Sequence, residues 1–390
     1  MTQARFARSQ ESHAFACPKN ARKTSSRTCF RVGVATLVLV GAIATGHVMA
    51  ADSAAAPTYP NLIDLNQFGI SGTWYDPAQS GQGFVISVMP NIDGNGHAEY
   101  FGGWFTFADH WSGEWYQQAL GTSMWLTLQG DTSNIDPNYG TRLAIYDNDG
   151  RNGVFAAPPA VPASQLGWAY LSMTDCNHMH LHYTVEWRAN TIDPWWHEMD
   201  LVRLMPNVSC IDAQTPPPSK TVYGPRFSGA WYDPATSGQG FAFEVNAAAS
   251  SEPGQNEALF GGWFAYAADD VDQSKKGRRW YTLQGNVNWN AFELLSPYFL
   301  FSNNLDIYET SGGTFATPNT SATVITRKRV GTAGIVFGAV NQNYTFTGAP
   351  FSCSSAILDY RFDAGENAGR NGHIALLRLG PAPSNCNPPW

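Results

Sequence analysis

The sequence predicts an all-β fold of two tandem, homologous, antiparallel domains, each a β-barrel or β-sandwich of seven or eight strands. Three observations carry this prediction. A long segment occurs twice along the chain, and apolar residues alternate with a period of two between glycine, proline and asparagine residues. No segment keeps a helical period over three turns without an interruption by glycine, proline or a β-branched residue, so strands in an antiparallel arrangement remain.

The first fifty residues are expected to be a signal peptide. They contain seven Lys and Arg residues and a single acid, Glu11, and after these charged residues comes the apolar run at 32–45. This run is shorter than the roughly 20 residues of a membrane span, and Ala50 provides a small side chain for cleavage. We therefore expect a secreted or periplasmic protein with no transmembrane segment in the mature chain.

The mature chain is strongly acidic. Once residues 1–50 are removed, 16 basic and 30 acidic residues remain, a formal charge of −14. This balance disfavours nucleic acid and anionic membranes as partners, because phosphate binding depends on clustered Lys and Arg. The one basic cluster, Lys275, Lys276, Arg278 and Arg279, is interpreted as a solvated hairpin tip.

The two copies begin at Ser71 and Ser228. Residues 71–84 read SGTWYDPAQSGQGF and residues 228–241 read SGAWYDPATSGQGF. Four further matches follow in the same order: 101–105 with 260–264, 127–130 with 282–285, 145–146 with 307–308, and 201–204 with 376–379. We place the first domain at 59–213, a stiff proline-rich linker at 214–220 and the second domain at 221–390.

The repeated Asp-Pro-Ala-x-Ser-Gly-Gln-Gly segment predicts a tight turn between the first two strands. Asp76 is expected to accept backbone hydrogen bonds, Pro77 to preset the turn, and Gly81 and Gly83 to supply positive φ angles. This mechanical explanation accounts for the motif without a catalytic role.

Four cysteines remain in the mature chain, an even number that is typical of exported proteins. Each copy has one cysteine before its penultimate strand and one after its last strand. Pairing within each copy lets each domain close by itself, which predicts the disulfides Cys176–Cys210 and Cys353–Cys386.

In its repeated segments the chain resembles a group of secreted proteobacterial proteins, mostly uncharacterised. Their domains open with Gly-x-Trp-[Trp/Tyr]-[Asn/Asp]-Pro-x-x-Ser-Gly-x-Gly, and the matching segments here are 72–83, 229–240, 167–171 and the strands of Arg203 and Arg378. The resemblance implies export and β-domains, with no activity attached. The four residues Gly72 to Tyr75 are also similar to the opening of avidin-type and lipocalin-type barrels, which implies a cup that holds a ligand.

Tryptophan residues supply the main candidate for a binding site. Trp125, Thr127 and Gln129 share one strand face, as do Trp280, Thr282 and Gln284 in the second copy, and a stripe of this kind suits a sugar or a small amphipathic ligand. Core packing explains the shared tryptophans equally well. The full set of candidate ligand-binding residues is Trp104, Trp125, Thr127, Gln129, Trp263, Trp280, Thr282, Gln284, Trp195 and Trp196.

A histidine cluster in the first copy is the candidate metal site. His178, His180 and His182 lie at alternate positions of one strand, opposite a core face formed by Met179, Leu181 and Tyr183. They would hold zinc or copper in the first domain alone, or form an exposed polar stripe.

No catalytic residue is assigned. The chain has no Gly-x-Ser-x-Gly elbow followed by a helix, and no pair of acids recurs in both copies apart from the turn aspartates Asp76 and Asp233. The favoured function is a non-catalytic secreted binding protein for a glycan or small amphipathic ligand. The alternatives are a secreted carbohydrate-active hydrolase or lyase and a structural protein of the cell envelope.

Overall fold

The computed structural model describes most of the chain beyond residue 62. The described residues are 63–108, 121–147, 155, 163–185, 196–213, 224–236, 238–246, 256–268, 277–289, 300–316, 318–320, 323–338 and 353–383. The expected signal peptide, the linker at 214–220, Trp195 and Cys386 lie outside them. The described residues of both barrels belong to one compact unit.

The first copy forms a closed antiparallel barrel. Its elements are the 3-10 helices η1 (Phe68–Ile70) and η2 (Pro77–Gln79) and the strands β1 (Gly72–Tyr75), β2 (Gly83–Met89), β3 (Glu99–Phe107), β4 (Ser123–Asp131), β5 (Ile135–Asp136), β6 (Gly140–Asp147), β7 (Ser164–Asp175), β8 (His178–Val185) and β9 (His197–Arg203). Eight strands follow in the order β4-β3-β2-β1-β9-β8-β7-β6, and pairing of β4 with β6 closes the ring. The short strand β5 pairs with β6.

The second copy forms an eight-stranded closed barrel in which each strand pairs with the next along the chain. Its elements are η3 (Gly224–Phe227), β10 (Gly229–Tyr232), η4 (Pro234–Thr236), β11 (Gly240–Asn246), β12 (Asn256–Tyr266), β13 (Arg278–Trp289), β14 (Leu300–Ser311), β15 (Thr326–Phe337), β16 (Ser355–Phe362) and β17 (Asn371–Arg378). The predicted all-β tandem architecture is confirmed, and both domains are barrels.

Alternate residues of β2 and β3 lie on opposite sides of the barrel wall, as the predicted period of two requires. Phe84, Ile86 and Val88 of β2 point into the first core, whereas Val85 points away from it. The same alternation places Trp104 of β3 inside the barrel. Strand periodicity alone therefore separates the barrel interior from its outer surface.

The arginine at the end of each last strand explains the repeated apolar-Arg-Leu pattern. Arg203 donates hydrogen bonds to backbone carbonyls of η1 and of Cys176, and its guanidinium carbon lies 4.5 Å from the Trp74 ring centroid. Arg378 makes the corresponding contacts in the second barrel, 4.7 Å from the Trp231 ring. Burial lowers the pKa of Arg203 to about 10, so it stays protonated at neutral pH.

The predicted turn of the repeated motif forms, with one difference. Asp76 accepts a hydrogen bond from the Ala78 amide at 2.8 Å, and Gly81 has a φ of 93°. The prediction of a positive φ at Gly83 was wrong. A Cβ at that position would lie 2.6 Å from the Trp74 carbonyl oxygen, so a close approach of two strands explains the glycine.

Cys176 and Cys210 are joined by a disulfide across 34 residues, as predicted. Cys353 is also disulfide-bonded, and its expected partner, Cys386, lies outside the described residues. No helix among the residues that the structure describes is long and apolar enough to span a membrane.

Candidate functional site between the barrels

The outer faces of the two barrels meet in a buried aromatic layer. It consists of Val85, Phe105, Phe107 and Trp125 of the first barrel and Ala242, Phe264, Tyr266 and Trp280 of the second. Trp125 and Trp280 are 1% and 3% exposed, because each outward-facing indole is covered by the neighbouring barrel. Burial of this apolar area favours association of the two domains.

The two indoles make reciprocal hydrogen bonds across the layer. Nε1 of Trp125 donates to the carbonyl oxygen of Ala265 at 2.9 Å, and Nε1 of Trp280 donates to that of Thr106 at 2.8 Å. Ala265 and Thr106 occupy equivalent positions of the repeat. The interface therefore has local two-fold symmetry, and each buried indole has its donor satisfied.

A buried ion pair between Arg278 of β13 and Asp147 of β6 also joins the barrels. Arg278 is 1% exposed and Arg279 is 6% exposed, and Arg279 pairs with Glu366 at 3.1 Å. The interpretation of the basic cluster as a solvated tip was wrong for these two arginines, because their counter-ions lie far along the sequence.

Glu244 of β11 provides a further polar contact between the barrels. Its carboxylate accepts a hydrogen bond from the Thr73 amide of β1 at 2.6 Å and lies near the Arg203 guanidinium. Burial raises the pKa of Glu244 above its usual value, while Arg203 and the hydrogen bonds oppose that shift. The equivalent residue of the first barrel is Ser87.

The barrels also exchange phenylalanine side chains. Phe315, from the connection between β14 and β15, packs in the core of the first barrel, with its ring centroid 4.9 Å from that of Trp104. Phe155, from the connection between β6 and β7, packs in the core of the second barrel, 5.3 Å from Trp263. Each core is therefore completed by a residue of the other copy.

The repeated Ser-Gly-Gln-Gly turn holds one of these crossing segments. Gln82 donates a side-chain hydrogen bond to the carbonyl oxygen of Thr314 at 3.1 Å and accepts one from the Ala316 amide at 3.3 Å. The side chain of Asn319 donates to the carbonyl oxygen of Ser80 at 2.8 Å. The motif thus docks the segment that carries Phe315, a role that the turn prediction did not include.

The sequence contained a signal for this exchange. Residues 153–158 read GVFAAP and residues 313–318 read GTFATP, a further match between the copies. Alignment of the two copies pairs Phe155 with Phe315. It does not show that each side chain packs in the core of the other barrel.

A small cavity lies in the interior of the first barrel. The cavity bounded by Phe84, Tyr100, Leu128, Leu181 and neighbouring core residues measures about 10 Å³, about the space that one water molecule needs.

A larger pocket of about 340 Å³ lies between the barrels. Its lining comprises Thr73, Trp74, Tyr75, Ser80, Gly81, Gln82, Gly83, Phe84, Val85, Phe105, Leu204, Phe260, Trp280, Thr282, Gln284, Thr310, Ile325 and Arg327. The surface of the pocket is mostly apolar, and its volume lies within the range of small-molecule sites.

Three polar residues of the pocket form a connected set on the second barrel. Nε2 of Gln284 donates to Oγ1 of Thr282 at 3.2 Å, and Arg327 donates to Oε1 of Gln284. The Arg327 guanidinium carbon lies 3.7 Å from the Tyr308 ring centroid. These contacts fix the position of a cation beside an apolar wall.

The structure separates the predicted ligand-binding residues into three groups. Trp104 and Trp263 lie in the two barrel cores. Trp280, Thr282 and Gln284 line the inter-barrel pocket. The equivalent stripe of the first barrel has Trp125 in the buried layer, Thr127 buried and Gln129 exposed. Trp196 lies outside these three groups.

The three histidines of β8 have different carboxylate partners. Nδ1 of His178 lies 2.8 Å from Asp175, that of His180 lies 2.8 Å from Asp200, and that of His182 lies 3.4 Å from Glu198. As predicted, Met179, Leu181 and Tyr183 occupy the opposite, core-facing side. Within the described ranges, no group of three or more His, Cys, Asp or Glu residues is arranged to hold a metal ion.

His182 is stacked between two aromatic rings on the outer surface of the first barrel. Its ring centroid lies 4.8 Å from that of Tyr139 and 4.5 Å from that of Trp196, with the latter planes 9° apart. Desolvation in this stack lowers the pKa of His182, while Glu198 acts in the opposite direction. Trp196 remains 45% exposed.

One pair of neighbouring carboxylates interacts in the second barrel. Burial, together with the nearby charge of Glu366, raises the pKa of Glu309. Glu366 is held by Arg279 and by the Ala268 amide at 3.1 Å. These contacts give Glu366 a structural role in joining the loop after β16 to the ends of β12 and β13.

Comparison with protein-family models, curated proteins and solved structures gives no match to this chain.

Proposed function

We propose that this chain is a non-catalytic binding protein whose ligand, a small amphipathic molecule, occupies the pocket between the barrels. The observation that carries the proposal is the composition of that pocket. Apolar side chains of both barrels form its walls, and Thr282, Gln284 and Arg327 supply polar groups along one side. An apolar concavity with a few fixed polar groups is the usual form of a small-molecule site.

The packing of the surroundings supports a preformed site. Trp280 and Phe105 belong to the buried layer between the barrels, and the Gln82 turn is fixed by hydrogen bonds to the crossing segment. A ligand would therefore meet walls that are already ordered, which lowers the conformational cost of binding. We place this function in the periplasm or outside the cell, and the Cys176–Cys210 disulfide supports an oxidising compartment.

Filling the pocket tests the proposal. Dodecanol and dodecanoate, titrated calorimetrically below their aggregation concentrations, should give at least one saturable complex with one site per chain. Gln284→Phe should weaken that complex by about tenfold or more, a change of ~1.4 kcal/mol. The matched control is Gln129→Phe, since Gln129 is the exposed equivalent in the first barrel. Equal weakening by both variants, or no saturable complex, would contradict the proposal.

The stack around His182 favours a glycan as a second candidate ligand, at a different place. Trp196 presents an exposed aromatic surface beside the exposed residues Glu198 and Asp200, and aromatic faces with neighbouring hydrogen-bond acceptors suit a sugar ring. Trp196→Ala should abolish retention on immobilised oligosaccharides, whereas Leu377→Ala, at an exposed apolar residue of the second barrel, should leave it unchanged. Unaltered retention by Trp196→Ala would reject this site.

A further inference from the structure

The cations near the inter-barrel pocket differ in their partners. Arg329 pairs with Asp306 at 2.6 Å and with Asp363 at 2.8 Å. Arg327, two residues earlier on the same strand, contacts the Gln284 amide oxygen and the Tyr308 ring. Among the residues that the structure describes, no carboxylate forms an ion pair with Arg327.

Arg327 retains hydrogen-bonding capacity. A guanidinium group has five N–H donors in a planar fork that matches a carboxylate or a sulfate, and one nitrogen of Arg327 serves Gln284. Stacking on the Tyr308 ring holds the guanidinium plane. The group is therefore oriented before a ligand arrives, and the entropic cost of binding an anion is reduced.

This cation is specific to one side of the local two-fold axis. Tyr308 pairs with Arg329 as its equivalent, Tyr146, pairs with Gln165. Arg329 is therefore equivalent to Gln165. Two residues earlier on each strand, Arg327 is equivalent to Ala163. The stripe Thr282–Gln284 has its counterpart in the first barrel, whereas Arg327 has none. The charge thus distinguishes this pocket from the equivalent surface of the first barrel.

We infer that the ligand of the inter-barrel pocket is an anionic amphiphile, with a carboxylate, sulfate or sulfonate head bound by Arg327 and an apolar body against Trp280, Phe105 and Ile325. This inference rests on the proposed function and adds the charge of the ligand. The formal charge of −14 beyond residue 50 repels anions from the surface in general, so binding of an anion here requires a specific local cation.

Three probes with the same dodecyl tail test the inference by calorimetric titration of the full mature chain at neutral pH. They are dodecanoate, uncharged dodecanol and the cation dodecyltrimethylammonium. Dodecanoate should bind about tenfold more tightly than dodecanol, because a charge-assisted hydrogen bond to an ionised group is stronger than a neutral one. Dodecyltrimethylammonium should bind more weakly than both.

Variants of the two arginines separate the local effect of Arg327 from general electrostatics. Arg327→Ala, which introduces the residue found at the equivalent position of the first barrel, should make the affinities for dodecanoate and dodecanol equal. Arg329→Gln, which introduces the residue at the equivalent position, removes the same charge but does not alter the pocket lining, and should keep the preference for dodecanoate.

The outcomes distinguish the inference from the proposed function. Equal affinity of the unmodified chain for dodecanoate and dodecanol would overturn the anionic ligand and leave the pocket as a binding site. A similar loss of preference in Arg327→Ala and Arg329→Gln would overturn the role of Arg327. Failure of all three probes to bind would overturn the proposed function itself.

Discussion

Phe105 and Phe264 stack across the two barrels with their ring centroids 4.6 Å apart and their planes 12° from parallel. Each ring also covers a glycine of the opposite barrel. A Cβ built on Gly103 would overlap the Phe264 ring, and one built on Gly262 would overlap the Phe105 ring. The repeated Gly-Gly-Trp-Phe segment therefore supplies both the ring and the glycine that this contact requires.

Gly103→Ala should destabilise the protein by about 1–3 kcal/mol, because the added methyl group forces the stacked rings apart. The measurement is the free energy of unfolding from guanidinium titration. Gly102→Ala is the matched control, since a Cβ there would lie 3.6 Å from the nearest atom, an ordinary contact. Equal effects of the two substitutions would contradict the importance of the stack.

Phe315→Ala should destabilise the first barrel although the residue belongs to the second copy. The ring is 7% exposed, and truncation of a buried phenylalanine costs about 3–5 kcal/mol. Hydrogen exchange should show faster amide exchange in β3, whose Trp104 packs against the ring. Val324→Ala, in the same connection but 72% exposed, should change little. Faster exchange confined to the second barrel would show that Phe315 does not complete the first core.

Replacement of Cys176 and Cys210 by serine should lower the free energy of unfolding by about 3–4 kcal/mol, as expected for a closed loop of this size. The bridge spans 34 residues. Chemical denaturation of the double variant checks the magnitude. Peptide mapping of the unreduced protein would also test the predicted Cys353–Cys386 pair, and recovery of Cys353 on a peptide of the first copy would reject it.

The pKa of His182 should lie below that of a free histidine, because desolvation between Tyr139 and Trp196 disfavours the charged ring. As the pH falls, His182 therefore takes up a proton in the unfolded chain before it does so in the folded one. The contribution of the neutral ring to the free energy of unfolding is present above pH ~6.5 and is lost as the pH falls through the folded-state pKa.

NMR titration of the His182 ring measures this pKa directly. Trp196→Ala exposes one ring face and should move the pKa upward, towards the unperturbed value. The facing groups Glu198 and His180 act in opposite directions, so Glu198→Gln should move it further down. A pKa above that of a free histidine in the unmodified chain would show that Glu198 outweighs desolvation.

The sequence was sufficient to predict two β-domains, their repeat and the core-facing side of β8. Period-two patterning reports which side of a strand faces the barrel interior. It does not report what covers the other side. The shared face of Trp125, like that of Trp280, could have lined a ligand site or packed in a core, and the structure buries both indoles between the barrels.

The candidate pocket could be predicted in part. Thr282, Gln284 and Trp280 were identified from their shared face, and they line the pocket. Arg327 and Phe105 were not identified, because they reach the pocket through pairing of β14 with β15 and through contact between the barrels. Strand pairing and contact between the barrels bring together residues that are far apart in the sequence, and the alternation along one strand does not predict such contacts.

The exchange of Phe155 and Phe315 has a consequence for how the two copies diverge. In a symmetric dimer of identical chains, every substitution appears on both sides of the axis. In this tandem chain one side carries Arg327 and Glu244 while the other carries Ala163 and Ser87. Covalent linkage therefore keeps together two cores that each need a phenylalanine of the other copy. It still permits residues on one side of the axis alone to change.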